Sequence, residues 1–274
     1  GQLGAATVRA WSDAGHVVAG LTRSRLDITN PGAVRSVIGG IRPDLIINCA
    51  ADNRVDAAQS APLPPLSVNA WAVRTLAHTA ADLGATFVHY STDFVFDGVT
   101  DRPYTEGDPP NPGSVYGMTK LLGEMLATDA PRHYVLRVES LFGGATGGSS
   151  IDRLWSLMEA GRPATAFSDR MVSPSLVEDV TAATRAMVEL HPAAGLYHCV
   201  NTGYASWFDV IDELRQLGGF PPSVLSAGRA ADASFPAPRP MFAALSNRKL
   251  QEAGVTMPSW QDAVARYASR RRQR

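Results

Sequence analysis

Short apolar runs alternate with segments of helical spacing along the first two hundred residues. The apolar runs predict strands over residues 16–21, 43–51, 87–90, 133–138 and 196–200. The helical spacing predicts helices over residues 5–15, 31–39, 68–83, 116–127 and 177–190. Strands that alternate with helices are typical of a parallel, doubly wound sheet. The expected fold is therefore a Rossmann-like α/β domain.

The pattern changes beyond Phe142, where a loop rich in glycine and serine covers residues 143–150. Further helices are predicted over residues 151–160 and 207–217, and the segment 220–240 is rich in proline and alanine with little periodicity. We therefore predict a second, smaller and discontinuous domain. The predicted bounds are 1–142 and 172–203 for the sheet domain, and 143–171 and 204–274 for the smaller one.

The stretch 91–120 contains the most suggestive polar residues. Tyr116 and Lys120 stand four residues apart in a predicted helix, so their side chains share one face. An ammonium beside a phenol favours the phenolate, which would make Tyr116 a proton donor or acceptor near neutral pH. The hydroxyl pair Ser91-Thr92 lies upstream of this helix, directly after a predicted strand. The alternative is that Tyr116 and Lys120 simply lie on a solvent-exposed helix face, because a tyrosine and a lysine four residues apart are common in helices.

The start of the chain has the pattern of a phosphate-binding turn. Gly1 and Gly4 lie three residues apart at the start of a helical pattern, like the back half of G-x-x-G-x-x-G. Such glycines let the backbone approach a pyrophosphate at a helix N-terminus. The strand and the leading glycine that should precede Gly1 are missing from the sequence, and a simple turn is the alternative. Small residues at the end of the strand 43–51 would also permit close approach of a cofactor: Cys49, Ala50 and Ala51.

The segment after the second predicted strand indicates which dinucleotide is preferred. A site that prefers NAD places an acidic residue there for the ribose hydroxyls. This chain has Arg23 and Arg25 instead, and guanidinium groups suit a 2′-phosphate. We therefore expect NADP(H), with NAD(H) as the alternative cofactor. Solvated loop arginines are the competing interpretation.

Composition excludes several classes of function. Hydrophobic residues make up 45% and charged residues 19% of the 274 residues, which is enough for a packed core. The net charge of -1 argues against a strongly basic nucleic-acid surface. The two cysteines form no metal or disulfide pattern, so we expect no metal and a reducing, cytoplasmic compartment. No apolar run reaches the ~20 residues of a membrane span.

The string S-T-D-F-V-F-D-G at residues 91–98, followed by Y-G-x-x-K at 116–120, is specific. With these motifs the chain resembles the extended short-chain dehydrogenase/reductases and, within them, the dTDP-4-dehydrorhamnose reductases. The resemblance implies that Tyr116 protonates the sugar oxygen and that Lys120 holds the nicotinamide ribose and lowers the Tyr116 pKa. It also implies that Thr92 hydrogen-bonds the substrate carbonyl, with Asp93 beside it in the active site. The expected cofactor-binding residues are Gly1, Gln2, Leu3, Arg23, Asp27, Ile28, Cys49, Ala50, Ala51, Asn69, Tyr116 and Lys120.

The resemblance implies NADPH-dependent reduction of the 4-keto group of a nucleotide-activated deoxysugar. It assigns cofactor binding to the sheet domain and sugar binding to the smaller one. Two alternatives stay open: a non-catalytic NADP-binding protein like the regulatory subunit of methionine adenosyltransferase, and a sugar-nucleotide epimerase or dehydratase. The expected partner is the nucleotide sugar, without nucleic acid or membrane, and a homodimer is compatible with the sequence.

The chain departs from the family's pattern where the sugar nucleotide should bind. Ser140 stands where the family has a tryptophan that stacks on the substrate. Ser150 replaces an asparagine, and Arg170 replaces a glutamine. The reductase chemistry is compatible with these changes, but the identity of the sugar does not follow from the resemblance.

Overall fold

A computed structural model describes residues 1–144 and 148–273. Four strands form one parallel sheet. Across the sheet their order is β1 (Leu45–Asn48), β2 (Thr86–Thr92), β3 (His133–Val138) and β8 (Gly195–His198). Val88 of β2 lies opposite Tyr134 of β3, and Leu136 of β3 lies opposite Tyr197 of β8. The predicted α/β class with a parallel sheet is confirmed.

Helices cover both faces of this sheet, so its strands are apolar on both sides. Phe87 belongs to a core shared with Leu76 and Val34, whereas the next residue, Val88, belongs to a core on the other face with Val180 and others. The helices of this part of the chain are α1 (Gln2–Asp13), α2 (Pro31–Ile41), α3 (Val55–Ser60), α4 (Leu63–Leu66), α5 (Ala72–Leu83), α6 (Val115–Ala127) and α8 (Val177–Leu190). A single π-helical turn, Ser67–Trp71, joins α4 to α5, and a short 3-10 turn, Asp93–Val95, follows β2.

The strand predicted over residues 16–21 is wrong. This segment has no regular secondary structure and pairs with no strand in the described part of the chain. A strand needs a neighbouring backbone to accept and donate its hydrogen bonds. Val17 is consequently fully exposed, although Leu21 still packs on the core.

The second half of the chain builds a separate apolar core around Trp155, Ile211 and Tyr267. The helices of this half of the chain are α7 (Ser150–Glu159), α9 (Trp207–Gly218), α10 (Arg248–Glu252) and α11 (Trp260–Arg272), of which α10 packs through Leu250 on the core of the sheet. Its strands are β4 (Leu141–Phe142), β5 (Ala164–Phe167), β6 (Met171–Val172), β7 (Ser175–Leu176), β9 (Ala205–Ser206) and β10 (Leu225–Gly228), with 3-10 turns at Pro222–Val224 and Ala230–Asp232. The parallel pair of β5 and β10 was not predicted, because neither segment has an apolar run long enough to indicate a strand. Residues 145–147 of the predicted glycine-rich loop lie outside the described residues.

Two close backbone contacts fix α6 against its neighbours. A Cβ on Gly117 would lie 2.2 Å from the carbonyl oxygen of Phe94, and a Cβ on Gly123 would lie 2.1 Å from that of Asn69. Only glycine permits such an approach. The helix begins after Ser114, whose hydroxyl accepts a hydrogen bond from the Gly117 backbone at 3.1 Å. These contacts hold the first turns of α6 against the end of β2.

Candidate active site

Thr92, Asp93 and Tyr116 come together where β2 ends. The Thr92 hydroxyl donates to Asp93 Oδ1 at 2.9 Å and accepts from the Phe94 backbone at 3.3 Å. The Tyr116 ring lies edge-on to Phe94, and its hydroxyl donates to Asn53 Oδ1 at 3.4 Å. The position of Thr92 at a strand end and of Tyr116 in the first turn of α6 produces this cluster.

The Tyr116 hydroxyl is a neutral phenol in this setting. Burial raises its pKa, and the nearby charge of Asp93 raises it further, while a hydrogen bond with Thr92 acts in the opposite direction. The predicted lowering of this pKa by Lys120 is therefore not what the structure shows. Burial and Asp93 set the direction of this shift, and the Lys120 ammonium donates to the Tyr90 backbone carbonyl. A protonated Tyr116 is suited to act as an acid.

Lys120 is 2% exposed and lies in the interior beside β2. Its Nζ donates to the Tyr90 carbonyl at 2.5 Å and lies 3.5 Å from His89 Nε2. Nδ1 of His89 in turn lies 3.1 Å from the Asn48 amide nitrogen. Burial lowers the pKa of Lys120 to about 8. His89 is thus a direct neighbour of Lys120.

A group of buried charges lies next to Thr92. Asp93 is 4% exposed, and its Oδ2 has no hydrogen-bond partner among the described residues. Burial raises the Asp93 pKa to about 6, although the positive charge of Arg170 opposes this. Burial also raises the pKa of Glu139 well above its ordinary value, and its Oε2 accepts from the Ser173 backbone at 2.6 Å. Glu139 was not found by sequence reasoning, since a lone glutamate after a strand carries no distinctive pattern.

A cavity of about 190 Å³ opens beside this charged group. It brings together the three positions at which the chain departs from its resemblance, Ser140, Ser150 and Arg170. The lining residues are Asp93, Phe94, Ser140, Leu141, Ser150, Ile151, Arg170 and Trp207. Ser140 has a φ of 46°, a left-handed conformation that residues other than glycine adopt infrequently. The predicted catalytic residue Asp93 and the predicted substrate positions therefore share one cavity.

The N-terminus of α1 has the properties of an anion site. Ala5 is the first residue whose N–H bonds within the helix, to the Gly1 carbonyl at 3.0 Å. The preceding N–H groups of Gln2, Leu3 and Gly4 have no backbone partner among the described residues. No side chain caps this helix, and its first turn contains no acidic residue. These free donors and the helix dipole fit the pyrophosphate of a dinucleotide.

The end of β1 lies beside this helix start. A Cβ on Gly4 would lie 3.4 Å from Cys49 Cβ, so the helix approaches the strand end closely. Cys49 and Ala51 are half-buried and Ala50 is exposed, and the small side chains of all three leave room for a group to approach this strand end. The side-chain amide of Gln2 donates to the Gly143 carbonyl, which links α1 to the loop after β4. The predicted pyrophosphate-binding elements are thus adjacent in space.

The other predicted cofactor residues occupy different environments. Arg23 is 88% exposed, with its guanidinium 4.0 Å from Asp27, so it can meet a phosphate without burial. Asp27 accepts hydrogen bonds from Thr29, both from the backbone at 3.0 Å and from the hydroxyl at 2.7 Å. Ile28 is half-buried against the core. The described contacts of Asp27 and Ile28 are therefore those of a turn that enters α2.

Asn69 is completely buried, and protein groups use its amide. Its Oδ1 accepts from the Asp52 backbone at 2.8 Å, and its Nδ2 donates to the Asp52 carbonyl at 3.0 Å and to Thr119 at 3.1 Å. Asn69 thus ties the loop after β1 to α6 and so positions Asn53 beside Tyr116. Asn53 was missed at the sequence level, because nothing in a loop asparagine indicates which side chain it will meet.

Comparison with known proteins agrees with this architecture. The sequence matches the RmlD substrate-binding domain family over residues 1–273. The chain belongs to this family. Among the relatives, dTDP-4-dehydrorhamnose reductase of Escherichia coli is 33% identical over 97% of this chain and 93% of its own length. The spore coat polysaccharide biosynthesis protein SpsK of Bacillus subtilis is 30% identical over 99% and 95%.

Solved structures of the family superpose closely. A dTDP-4-dehydrorhamnose reductase from Clostridium acetobutylicum matches with a TM-score of 0.93 and 29% identity, covering 99% of this chain and 96% of that one. The reductase of Bacillus anthracis, in complex with NADP, gives a TM-score of 0.93 and 27% identity, covering 98% and 96%. The predicted membership of the extended short-chain dehydrogenase/reductases, in the dTDP-4-dehydrorhamnose reductase branch, is confirmed.

In residues 1–144 and 148–273, none of the helices combines the length and apolarity that a bilayer crossing requires. The same residues contain no group of three or more His, Cys, Asp or Glu placed to hold a metal ion.

Proposed function

We propose that this protein catalyses the NADPH-dependent reduction of the 4-keto group of a nucleotide-activated deoxysugar. The observation that carries the proposal is the cluster of Thr92, Asp93 and Tyr116 at the edge of a cavity, with Lys120 buried behind it. Relatives named dTDP-4-dehydrorhamnose reductase support the substrate class, and the relative in complex with NADP supports the cofactor.

The residues at the start of α1 would hold the cofactor's pyrophosphate, since the N–H groups of Gln2, Leu3 and Gly4 are available. Arg23 would bind the 2′-phosphate, for which its exposed guanidinium is suited. Cys49, Ala50 and Ala51 would pack against the dinucleotide, and Lys120 would hold the nicotinamide ribose. When bound, NADPH supplies the hydride.

The protein's own chemistry is the delivery of one proton to the oxygen that becomes an alkoxide. Tyr116 is protonated at neutral pH, because burial raises its pKa, and it can therefore give its proton as charge develops on the ketone oxygen. Thr92 would donate a hydrogen bond to the same oxygen. In the structure this hydroxyl donates to Asp93, so it must turn from the carboxylate to the substrate. Asn53, which accepts from Tyr116, holds the phenol in place.

We extend the proposal to the division of labour between the predicted domains. The cavity supports it, since Asp93 and Ser140 come from the 1–142 segment and Ser150 and Arg170 from the 143–171 segment. Residues 1–142 and 172–203 would bind the cofactor, and residues 143–171 and 204–274 the sugar. Both cysteines are free, which supports the reducing cytoplasm as the compartment. Exposed apolar side chains on adjoining helical segments support a homodimer: Trp71, Met118 and Met125.

The test is NADPH oxidation, followed by absorbance, with a dTDP-4-keto-6-deoxyhexose as substrate. Removing the acid with Tyr116→Phe should lower kcat by about 10²- to 10⁴-fold. NADPH affinity should change little, because the phenol ring remains. Tyr134→Phe is the matched control, since Tyr134 lies at the start of β3, away from the strand end that carries Thr92, and its hydroxyl donates to the Pro192 carbonyl. Unchanged turnover in Tyr116→Phe would refute the role of Tyr116.

The same assay separates the alternatives. Tight NADPH binding without turnover of any keto sugar would favour the non-catalytic binding protein. Conversion of a sugar nucleotide without net consumption of NADPH would favour an epimerase or dehydratase, because these enzymes return the hydride within one turnover.

A further inference from the structure

The segment 233–240, called the strap below, follows β10 in the second half of the chain and reaches back to the residues that follow β2. A Cβ on Gly98 would lie 2.6 Å from the Cα of Pro240, so the two halves of the chain touch here through their backbones. Strap residues also line a small cavity of about 30 Å³ together with Phe94 and with Ser114, the residue that caps α6. The strap therefore packs beside the start of the helix that carries the proposed acid.

Arg239 anchors the strap to the first turn of α3. Its Nη2 donates to both carboxylate oxygens of Asp56 at 2.8 Å, and its Nη1 donates to the Ala237 carbonyl at 3.0 Å. The Ala237 backbone also donates to Asp56 Oδ1 at 3.2 Å. A lone exposed ion pair contributes little to stability, but the Arg239 side chain is only 14% exposed, and several hydrogen bonds converge on one carboxylate. The geometry of this contact is therefore fixed.

The guanidinium of Arg239 also contacts two aromatic rings. Its Cζ lies 5.2 Å from the centre of the Phe235 ring and 5.8 Å from the centre of the Phe94 ring. Both distances are within the range of about 6 Å in which a cation is attracted to an aromatic face. Phe94 in turn lies edge-on to Tyr116, with the two ring centres 5.4 Å apart. A single side chain, Phe94, thus connects Arg239 to the phenol ring.

The ion pair with Asp56 leads to the other neighbour of Tyr116. Asp56 lies three residues after Asn53, whose Oδ1 accepts from the Tyr116 hydroxyl at 3.4 Å. The Val55 backbone N–H donates to the Asn53 carbonyl at 2.9 Å, so this loop and the start of α3 form one continuous turn. Arg239 therefore contacts both segments that touch the phenol, one through Phe94 and one through Asp56.

The phenol needs such support because a general acid must lie within hydrogen-bond reach of the oxygen that receives its proton. The bond from Tyr116 to Asn53, at 3.4 Å, is longer than an ordinary O–H···O hydrogen bond and holds the ring weakly. Under the proposed function, on which this inference rests, Tyr116 is the acid. We propose that Arg239 is a positioning residue for Tyr116, which holds the Phe94 ring and the Asn53 loop against the phenol.

The first test is Arg239→Met, which keeps an apolar stem and removes the guanidinium. With a dTDP-4-keto-6-deoxyhexose, kcat for NADPH oxidation should fall by about 10- to 10²-fold, because a small misplacement of a catalytic group is enough for such a loss. The KM for NADPH should change by less than about twofold, since the proposed cofactor contacts are made by other residues. Arg229→Met is the matched control, because that side chain is 66% exposed and lies 3.8 Å from Asp169. It should keep the kcat of the wild type.

The Tyr116→Phe background distinguishes positioning of the phenol from a general structural role. If Arg239 acts through the Tyr116 hydroxyl, adding Arg239→Met should lower the residual single-turnover rate of Tyr116→Phe by less than about twofold. An equal fold-loss in the wild type and in Tyr116→Phe would overturn the inference. Arg239→Lys keeps a charge for Asp56 but loses the planar group that stacks on Phe94, so its kcat should lie between those of the wild type and Arg239→Met.

Amide hydrogen exchange tests the same contacts without an assay of activity. In Arg239→Met, residues 53–58 and 94–97 should exchange about tenfold faster than in the wild type, whereas β3 should be unchanged, which also shows that the variant is folded. Unchanged exchange in both segments would overturn the inference. Faster exchange in a protein that reduces no keto sugar would contradict only the proposed reductase activity, so the two failures are distinguishable.

Discussion

The Lys120 ammonium donates a hydrogen bond to the backbone carbonyl of Tyr90 at 2.5 Å, within the interior of the protein. Burial favours the uncharged amine, and the pKa of Lys120 is lowered to about 8. Because this pKa is lowered, burying the charged form of Lys120 reduces the free energy of unfolding at neutral pH. Such a loss of stability is common at residues that are kept for function.

Lys120→Met should therefore abolish activity without destabilising the protein. The pKa depression corresponds to about 3 kcal/mol at pH 7, from which the loss of the Tyr90 hydrogen bond subtracts about 1 kcal/mol. Urea denaturation at pH 7 should give a midpoint equal to or above that of the wild type. The free energy of unfolding of the wild type, but not of Lys120→Met, should increase as the pH rises from about 8 towards 10.5, the ordinary pKa of lysine. In this range the folded protein has lost the charge of Lys120, whereas the unfolded chain still carries it. A clearly lower midpoint for Lys120→Met at pH 7 would contradict this.

Asp93 gives the opposite pH dependence. Its folded pKa of about 6 exceeds the ordinary 3.8, so the folded state binds the proton more tightly than the unfolded state. The resulting penalty is present above pH 6 and is relieved as the pH falls towards 3.8. Asp93→Asn should thus stabilise the protein relative to wild type by up to about 3 kcal/mol at pH 7.5, and by less at pH 4.5. The measurement is denaturant unfolding at both pH values, and a pH-independent difference would argue against a buried ionised Asp93.

His89 should act on activity through Lys120. Its ring is completely buried between the Asn48 amide, 3.1 Å from Nδ1, and Lys120 Nζ, 3.5 Å from Nε2. His89→Phe leaves the Asn48 amide without its partner, and we expect a loss of about 1–3 kcal/mol of stability. We also expect a higher KM for NADPH, since Lys120 loses a neighbour that positions it. His89→Gln can still accept from Asn48 and should retain more of both properties. Equal KM values for NADPH in the wild type and both variants would show that His89 does not position Lys120.

Gly123 tests the close packing of α6 on the π-helical turn. Gly123→Ala should destabilise the protein by more than about 2 kcal/mol, because the new Cβ would lie 2.1 Å from the Asn69 carbonyl oxygen. Gly39→Ala is the matched control within α2, where a Cβ meets no atom within 4 Å. It should stabilise by about 0.5–1 kcal/mol, since alanine favours a helix interior. Thermal or urea unfolding of both variants measures the two changes in stability. The prediction is wrong if both substitutions stabilise or both destabilise the protein.

The predicted elements of the sheet were largely correct because their patterns are local. The helix over 116–127 was predicted from its spacing and begins at Val115 in the structure, and the strand over 133–138 was predicted with its observed bounds. The strand over 16–21 failed for a physical reason, since its apolar sequence cannot supply the neighbouring backbone that a strand requires. A pattern within one segment therefore predicts an element only when its partner is also present.

The sequence by itself determined that Tyr116 and Lys120 share one helix face and that Thr92 closely follows a strand core, because these relations depend on helical and strand periodicity. Only the tertiary structure decided that Lys120 donates to the Tyr90 carbonyl and that burial, with the charge of Asp93, raises the Tyr116 pKa. It also decided that Ser140, Ser150 and Arg170 meet around Asp93. Such contacts depend on the paths of loops and on close packing between distant segments, and burial then sets the protonation of each group.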